Sequence, residues 1–142
     1  MNKQNKQFNM ELLFRALSDL TRLRLINLMG SGEVCVCFLV EIIGPNQPKI
    51  SRHLAYLRKA GIVAARREGK WMHYRISEPH DLHAALIFKE VCNWLAEDKE
   101  MQRDRYRLAS ICCATKSCSN RTPSRNRSTR RRRLLWVSSK AR

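Results

Sequence analysis

Six cysteines carry most of the chemistry available to this 142-residue chain, and five of them fall in two groups. Cys112-Cys113-Ala114-Thr115-Lys116-Ser117-Cys118 places three thiols within seven residues. Sulfur-only donor sets select soft, thiophilic ions. Without a nearby histidine, three sulfurs suit a pyramidal As(III) or Sb(III) centre better than tetrahedral zinc, with Cd(II) and Pb(II) as alternatives. Lys116 and the arginines on both flanks favour the thiolate, which is the form that ligates. Neighbouring helical positions lie ~100° apart, so Cys112 and Cys113 converge only where the backbone bends, as it can at a helix end. The polar spacer is long enough to return Cys118 to them. A competing chemistry for the same trio is a redox switch, with Cys118 joined to Cys112 or Cys113 in a disulfide.

The second group, Cys35-Val36-Cys37, is a secondary candidate. On an intact helix, residues two apart lie about 200° around the axis, so both thiols reach one ion only if the turn unwinds. Cys92 stands alone in a helical stretch and reads as packing. A cytoplasmic location is the default for a chain with no apolar run near the ~18–20 residues that span a bilayer. There the thiols stay reduced, so the cysteines are not a disulfide framework.

A further set of residue types suits DNA. From Asn46 the chain runs Gln47-Pro48-Lys49-Ile50-Ser51-Arg52-His53-Leu54-Ala55-Tyr56-Leu57 to a stop at Gly61. Asn46 is a suitable N-cap and Pro48 fits a first helical turn. Ile50, Leu54 and Leu57 form one buried stripe, which leaves Gln47, Lys49, Ser51, Arg52 and His53 on the other face or at the helix start. Gln can pair an adenine edge and Arg a guanine edge, while Ser and Lys suit phosphates. Arg66, Arg67 and Lys70 at a hairpin tip suit the DNA backbone or minor groove.

The elements that must position these groups follow from the apolar periodicity. Phe8 to Leu17 is helical and closes at Ser18-Asp19. A second helix starts near Thr21 and stops at Gly30-Ser31-Gly32. Cys35 to Ile43 reads as a third, ended by Gly44-Pro45 ahead of the reader helix. The period then alternates over residues 62–67 and 71–76, giving two strands joined at Glu68-Gly69-Lys70. After Pro79, one long amphipathic helix is expected from Asp81 to about Leu108, with Leu82, Leu86, Val91, Trp94 and Leu95 on its apolar side. Four helices, a hairpin and a long helix make a mainly α winged helix-turn-helix with a β-hairpin wing.

Charge agrees with a polyanionic partner. The 28 Lys and Arg against 12 Asp and Glu give +16, and the nine basic residues after Cys118 leave +7 on residues 1–118. The Arg-rich stretch 119–142 is expected to be a disordered basic tail that adds salt-sensitive, sequence-independent affinity. A DNA-compacting protein working through that tail is the rival reading. Paired carboxylates, a nucleophile elbow and a phosphate loop are lacking, so the chain does not read as an enzyme.

Leu17-Ser18-Asp19-Leu20-Thr21-Arg22-Leu23-Arg24-Leu25, Glu33-Val34-Cys35-Val36-Cys37-Phe38-Leu39, Ser51-Arg52-His53-Leu54 and Arg66 to Ile76 occur in an order that resembles the ArsR/SmtB family of metal-responsive repressors, over about residues 8–100. Leu20 departs from the family's usual Pro and is expected to loosen the helix junction. Phe38 and Val40 stand where the family's Cys-Val-Cys-Asp-Leu-Cys inducer motif has an acid and a third thiol. The resemblance implies a homodimer, built by the first helix and the long helix after the wing, that binds an inverted-repeat operator and releases it when an inducer binds. It further implies that the Cys112, Cys113 and Cys118 trio captures arsenite or antimonite, as a vicinal pair plus one more cysteine does in some members, and that DNA binding itself needs no cofactor. Asp81 and His83 match half of the family's long-helix zinc site, but Trp94 and Glu97 stand at its other two positions and an indole cannot ligate. The expected organisation is a DNA-binding and dimerisation domain over 1–108, a Cys-rich inducer segment over 109–118, and the tail over 119–142.

Overall fold

The computed structural model describes residues 8–114. The element order is α1 (Met10–Leu17), α2 (Leu20–Met29), β1 (Val34–Cys35), α3 (Val36–Ile43), α4 (Gln47–Lys59), β2 (Val63–Glu68), β3 (Trp71–Ile76), α5 (Leu82–Glu97) and α6 (Lys99–Ala114). Five of these helices start with the same device. Asn9, Asp19, Asn46, Asp81 and Asp98 each accept, on the side chain, the backbone N–H three residues on, at 2.9–3.0 Å. That satisfies one of the donors a helix start leaves free. Leu20, which follows the Asp19 cap, has an exposed side chain.

Leu13, Leu25, Leu28, Leu39, Leu54, Leu57 and Ile62 lose all contact with solvent and form the centre of the core. The stripe predicted for the reader helix is as expected, because Ile50, Leu54 and Leu57 are buried while Gln47, Lys49, Ser51 and Arg52 are exposed. The wing closes through Gly69, whose φ of +59° is one that glycine adopts without strain. Glu68 pairs with Trp71, so Gly69 and Lys70 form the turn.

Three expectations are corrected. First, the wing is part of a three-stranded antiparallel sheet in the order β1-β3-β2, with Val34 opposite Tyr74 and Cys35 opposite His73. Second, the helix expected from Cys35 begins one residue later. Cys35 is extended (φ −67°, ψ 141°) because β3 takes its backbone into the sheet. Third, the single long helix is two. At Asp98 the backbone becomes extended (φ −72°, ψ 133°), and its carboxylate accepts the N–H groups of Glu100 and Met101 at 2.9 and 3.0 Å. The side chain thereby starts a new helix where periodicity continues unbroken.

That break decides which faces are covered. Leu95 and Phe88 of α5 are buried in the core, but Leu82, Leu86 and Trp94 are 69%, 58% and 74% exposed. α6 lies against α2 and α3 through the buried Met101, Asp104 and Leu108. It runs on to Ala114, so Cys112 and Cys113 occupy its last turn. Cys118, Lys116 and the basic stretch 119–142 lie outside the described residues.

Candidate nucleic-acid interface and thiol sites

α3 and α4, joined by Gly44-Pro45-Asn46, are the two helices of a helix-turn-helix, with α4 the outer one. Beside the start of α4 opens a groove of about 410 Å³ lined by Arg22, Asn46, Lys49, Arg52, His53 and Tyr56. Three of those six are cationic and the α4 N-terminus adds positive potential, an arrangement suited to a backbone phosphate.

Not all the predicted DNA residues point outward. His53 turns inward, with its Nδ1 3.7 Å from an Asp19 oxygen and 3.5 Å from Arg22 Nη1. Burial pushes its pKa below the usual imidazole range, against the pull of the Asp19 charge. On Asp19, burial acts to raise the carboxyl pKa, but the Arg22 N–H, the Arg22 guanidinium and His53 outweigh it and hold it low. Arg22 was not singled out in the sequence, yet it links three helices. Its Nε and Nη2 donate to the Ala16 and Arg15 carbonyls at 2.8 and 2.6 Å, ending α1, and its guanidinium stacks on Tyr56 of α4 at 4.7 Å. The sequence carried no sign of this, since an Arg in a helix is usually solvated.

The wing also divides its cations. Arg66 Nη2 donates to Glu33 at 2.6 Å and to Glu68 at 2.7 Å, and these carboxylates raise the Arg66 pKa while Arg66 lowers that of Glu68. His73 lies 3.9 Å from Glu33 and 3.8 Å from Glu68 in the same cluster. Arg66 is therefore matched by acid, while Arg67 and Lys70 remain exposed. Arg67 Nε reaches the Gly69 carbonyl at 3.0 Å, and the Lys70 ammonium lies 5.4 Å over the Trp71 ring.

The thiols are arranged differently from the helical estimate at one site and in line with it at the other. Because Cys35 is extended and Cys37 is in the first turn of α3, their sulfurs lie 3.0 Å apart with no unwinding. Burial, and then the hydrogen bond to Cys35, push the Cys37 thiol up to about 11. Cys112 packs partly buried against the core and Cys113 is exposed. This is the splay that consecutive helical positions require. Cys92 is half-buried against the core, and burial raises its thiol pKa, as a packing residue's should be. Among the described residues, no three His, Cys, Asp or Glu side chains already stand in a metal-holding group.

The model of bacterial regulatory proteins of the arsR family matches residues 19–65, from the start of α2 into β2. The chain is 43% identical over 103 residues to the arsenical resistance operon repressor of Escherichia coli K12, covering 72% of this chain and 86% of that protein. It is 42% identical over 110 residues to the arsenic resistance transcriptional regulator ArsR2 of Pseudomonas putida KT2440, covering 71% of this chain and 95% of that one. Among solved structures it resembles a homodimeric winged helix-turn-helix DNA-binding domain from Mycobacterium bovis, with a TM-score of 0.50, 31% identity, and coverage of 61% of this chain and 78% of that one.

Proposed function

The chain belongs to the ArsR family of DNA-binding transcriptional repressors, which are regulators and not enzymes, and from that premise we propose that it represses an arsenical-resistance promoter until a trivalent metalloid binds its thiols. The inducer is arsenite or antimonite. Cys112 and Cys113, with Cys118, are its ligands, and Cys35 with Cys37 form a secondary site. The thiolate-only donor set fits a soft, three-coordinate centre, to which it supplies As–S or Sb–S bonds.

A second copy of the chain completes the molecule. Met10 and Phe14 of α1 and Leu82, Leu86 and Trp94 of α5 leave large apolar side chains exposed on the helices expected to pair. A two-fold dimer would set Gln47, Lys49, Ser51 and Arg52 of each protomer in successive major grooves of double-stranded operator DNA. Arg67 and Lys70 would lie along the flanking backbone. Among the described residues no helix is long and apolar enough to cross a membrane, and the reading has the protein act on cytoplasmic DNA.

The observation that carries the reading is the placement of Cys112 and Cys113 on the last turn of a helix packed against the helix-turn-helix. Fluorescence anisotropy on a duplex from upstream of its own gene, with thiols fully reduced, tests it. As(III) or Sb(III) should weaken binding 5–150-fold, the range typical of allosteric coupling. The Cys112→Ser/Cys113→Ser variant should bind the duplex normally and ignore the metalloid. Unchanged affinity in the wild type would refute the reading. Release by Cd(II), Pb(II) or Zn(II) in place of metalloid would reassign the inducer, and release by peroxide alone would select the redox switch.

A further inference from the structure

α6 is fastened to the helix-turn-helix by more than its apolar face. Arg24 Nε and Nη2 of α2 donate to the two Asp104 oxygens at 2.7 and 2.9 Å, a bidentate pair in which the Asp104 side chain is only 8% exposed. Asn27 Nδ2 donates to the Met101 carbonyl at 2.8 Å, and Arg105 Nε donates to the Asn27 carbonyl at 3.2 Å. Gly30 makes room for this, since a Cβ there would lie 2.8 Å from Arg105 Nη2. Farther along α6, Arg107 Nη1 reaches the Ile42 carbonyl at 3.4 Å, on the end of α3 that leads into the turn before the reader. One helix thus holds both supports of α4.

The same helix carries the vicinal thiols. Asp104, Leu108 and Cys112 recur every four residues and share its inner face, whereas Cys113 is ~100° around the axis. Bringing both sulfurs to one ion works against this splay, so capture would pull Cys112 off the core and strain the end of α6, about 7–8 Å along the axis from Arg107.

We infer that Asp104 and Arg107 are positioning residues, which hold α2 and α3 in the operator-binding arrangement within each protomer, and that metalloid capture frees the reader by loosening this clasp. The inference rests on Cys112 and Cys113 being the inducer site, as proposed above. It locates the coupling inside the protomer, between α6 and the two helices that support α4.

The test uses the full-length dimer with As(III), measuring operator affinity and the near-ultraviolet absorption of As–thiolate bonds together. Asp104→Asn should still develop the absorption. Without metalloid it should bind operator about fivefold more weakly or worse, and its further loss on adding As(III) should shrink below about twofold. Arg107→Gln, on an exposed position, should shift both quantities in the same direction. Hydrogen exchange on the wild type should show faster exchange over residues 20–29 and 101–108 when As(III) is bound, a measurement that stands even if Asp104→Asn does not fold. Variants with wild-type operator affinity and full arsenite response, or exchange that rises only beyond residue 108, overturn the clasp and leave the inducer reading intact. Asp104→Asn that merely melts lower, with binding and response unchanged below its transition, overturns it equally. A wild type that forms As–thiolate bonds without releasing DNA overturns both.

Discussion

At the scale of single residues, burial and pairing decide which charges reach DNA and which protons matter. Arg66 has two carboxylate partners, so Arg66→Ala should change operator affinity less than Arg67→Ala or Lys70→Ala. Titrating binding against salt checks this: each lost phosphate contact lowers the log–log slope by about 0.9, and the Arg66 variant should keep the wild-type slope. His53 gives a pH dependence. Its folded pKa is depressed below 6.5, so as pH falls the unfolded chain takes up the proton first and stability declines from about that value downward. The loss stops below the folded pKa. The groups facing His53 are Asp19 and Arg22 from α2 and Lys49 and Arg52 from α4. The depressed Asp19 carboxyl acts in a lower window, contributing stability above its ordinary 3.8 that is lost as pH falls through its folded value. Melting His53→Gln between about pH 7 and 5 should therefore give a flatter profile than the wild type. Cys37, pushed up to about 11, is protonated at neutral pH, so As(OH)3 taken by Cys35 and Cys37 would lose hydroxides as water with the thiol protons, and its affinity there should change little with pH around neutrality.

At the scale of elements, caps and stripes made most of the fold legible beforehand, and the exceptions have physical causes. Asn46, Pro48 and the Ile50, Leu54, Leu57 stripe fixed α4 because a cap and a helical period are local signals. β1 was illegible because a strand of two residues has no period, and its existence depends on β3 being alongside. The break at Asp98 was hidden by apolar residues that stay in step across it, even though Asp is a good cap. The Glu33–Arg66 and Arg24–Asp104 pairs join positions 33 and 80 apart, a relation no local pattern encodes. Of the site, the outward DNA residues were readable from type and spacing. Arg22, Asp104 and Arg107 were not, since their roles come from what folding brings beside them. Replacing Asp98 with Ala removes the cap of α6 and should cost about 1 kcal/mol in a urea melt. Leu54→Ala, in the fully buried stripe, should cost about 2–5 kcal/mol in the same experiment.

At the scale of the molecule, the proposed dimer ties the exposed apolar side chains of α1 and α5 to the cationic groove beside α4. One reader helix contacts only half of a two-fold site, and joining two converts the second contact into an intramolecular one. Trp94→Glu should therefore give a monomer by light scattering and weaken operator binding about 100-fold or more, while leaving the circular dichroism of the protomer unchanged. The charge excess of +16 should make whatever binding remains strongly salt-dependent. The interruption at Asp98 has a consequence for how such a protein can diversify. Since the backbone ladder does not run through it, the α5 face proposed to join two copies and the vicinal sulfurs stand on two separate helices. Beyond Leu108 no described side chain of α6 is fully buried, so on the proposed reading a change of ligands confined to the end of α6 should retune what is sensed and leave the pitch at which two copies meet unaltered.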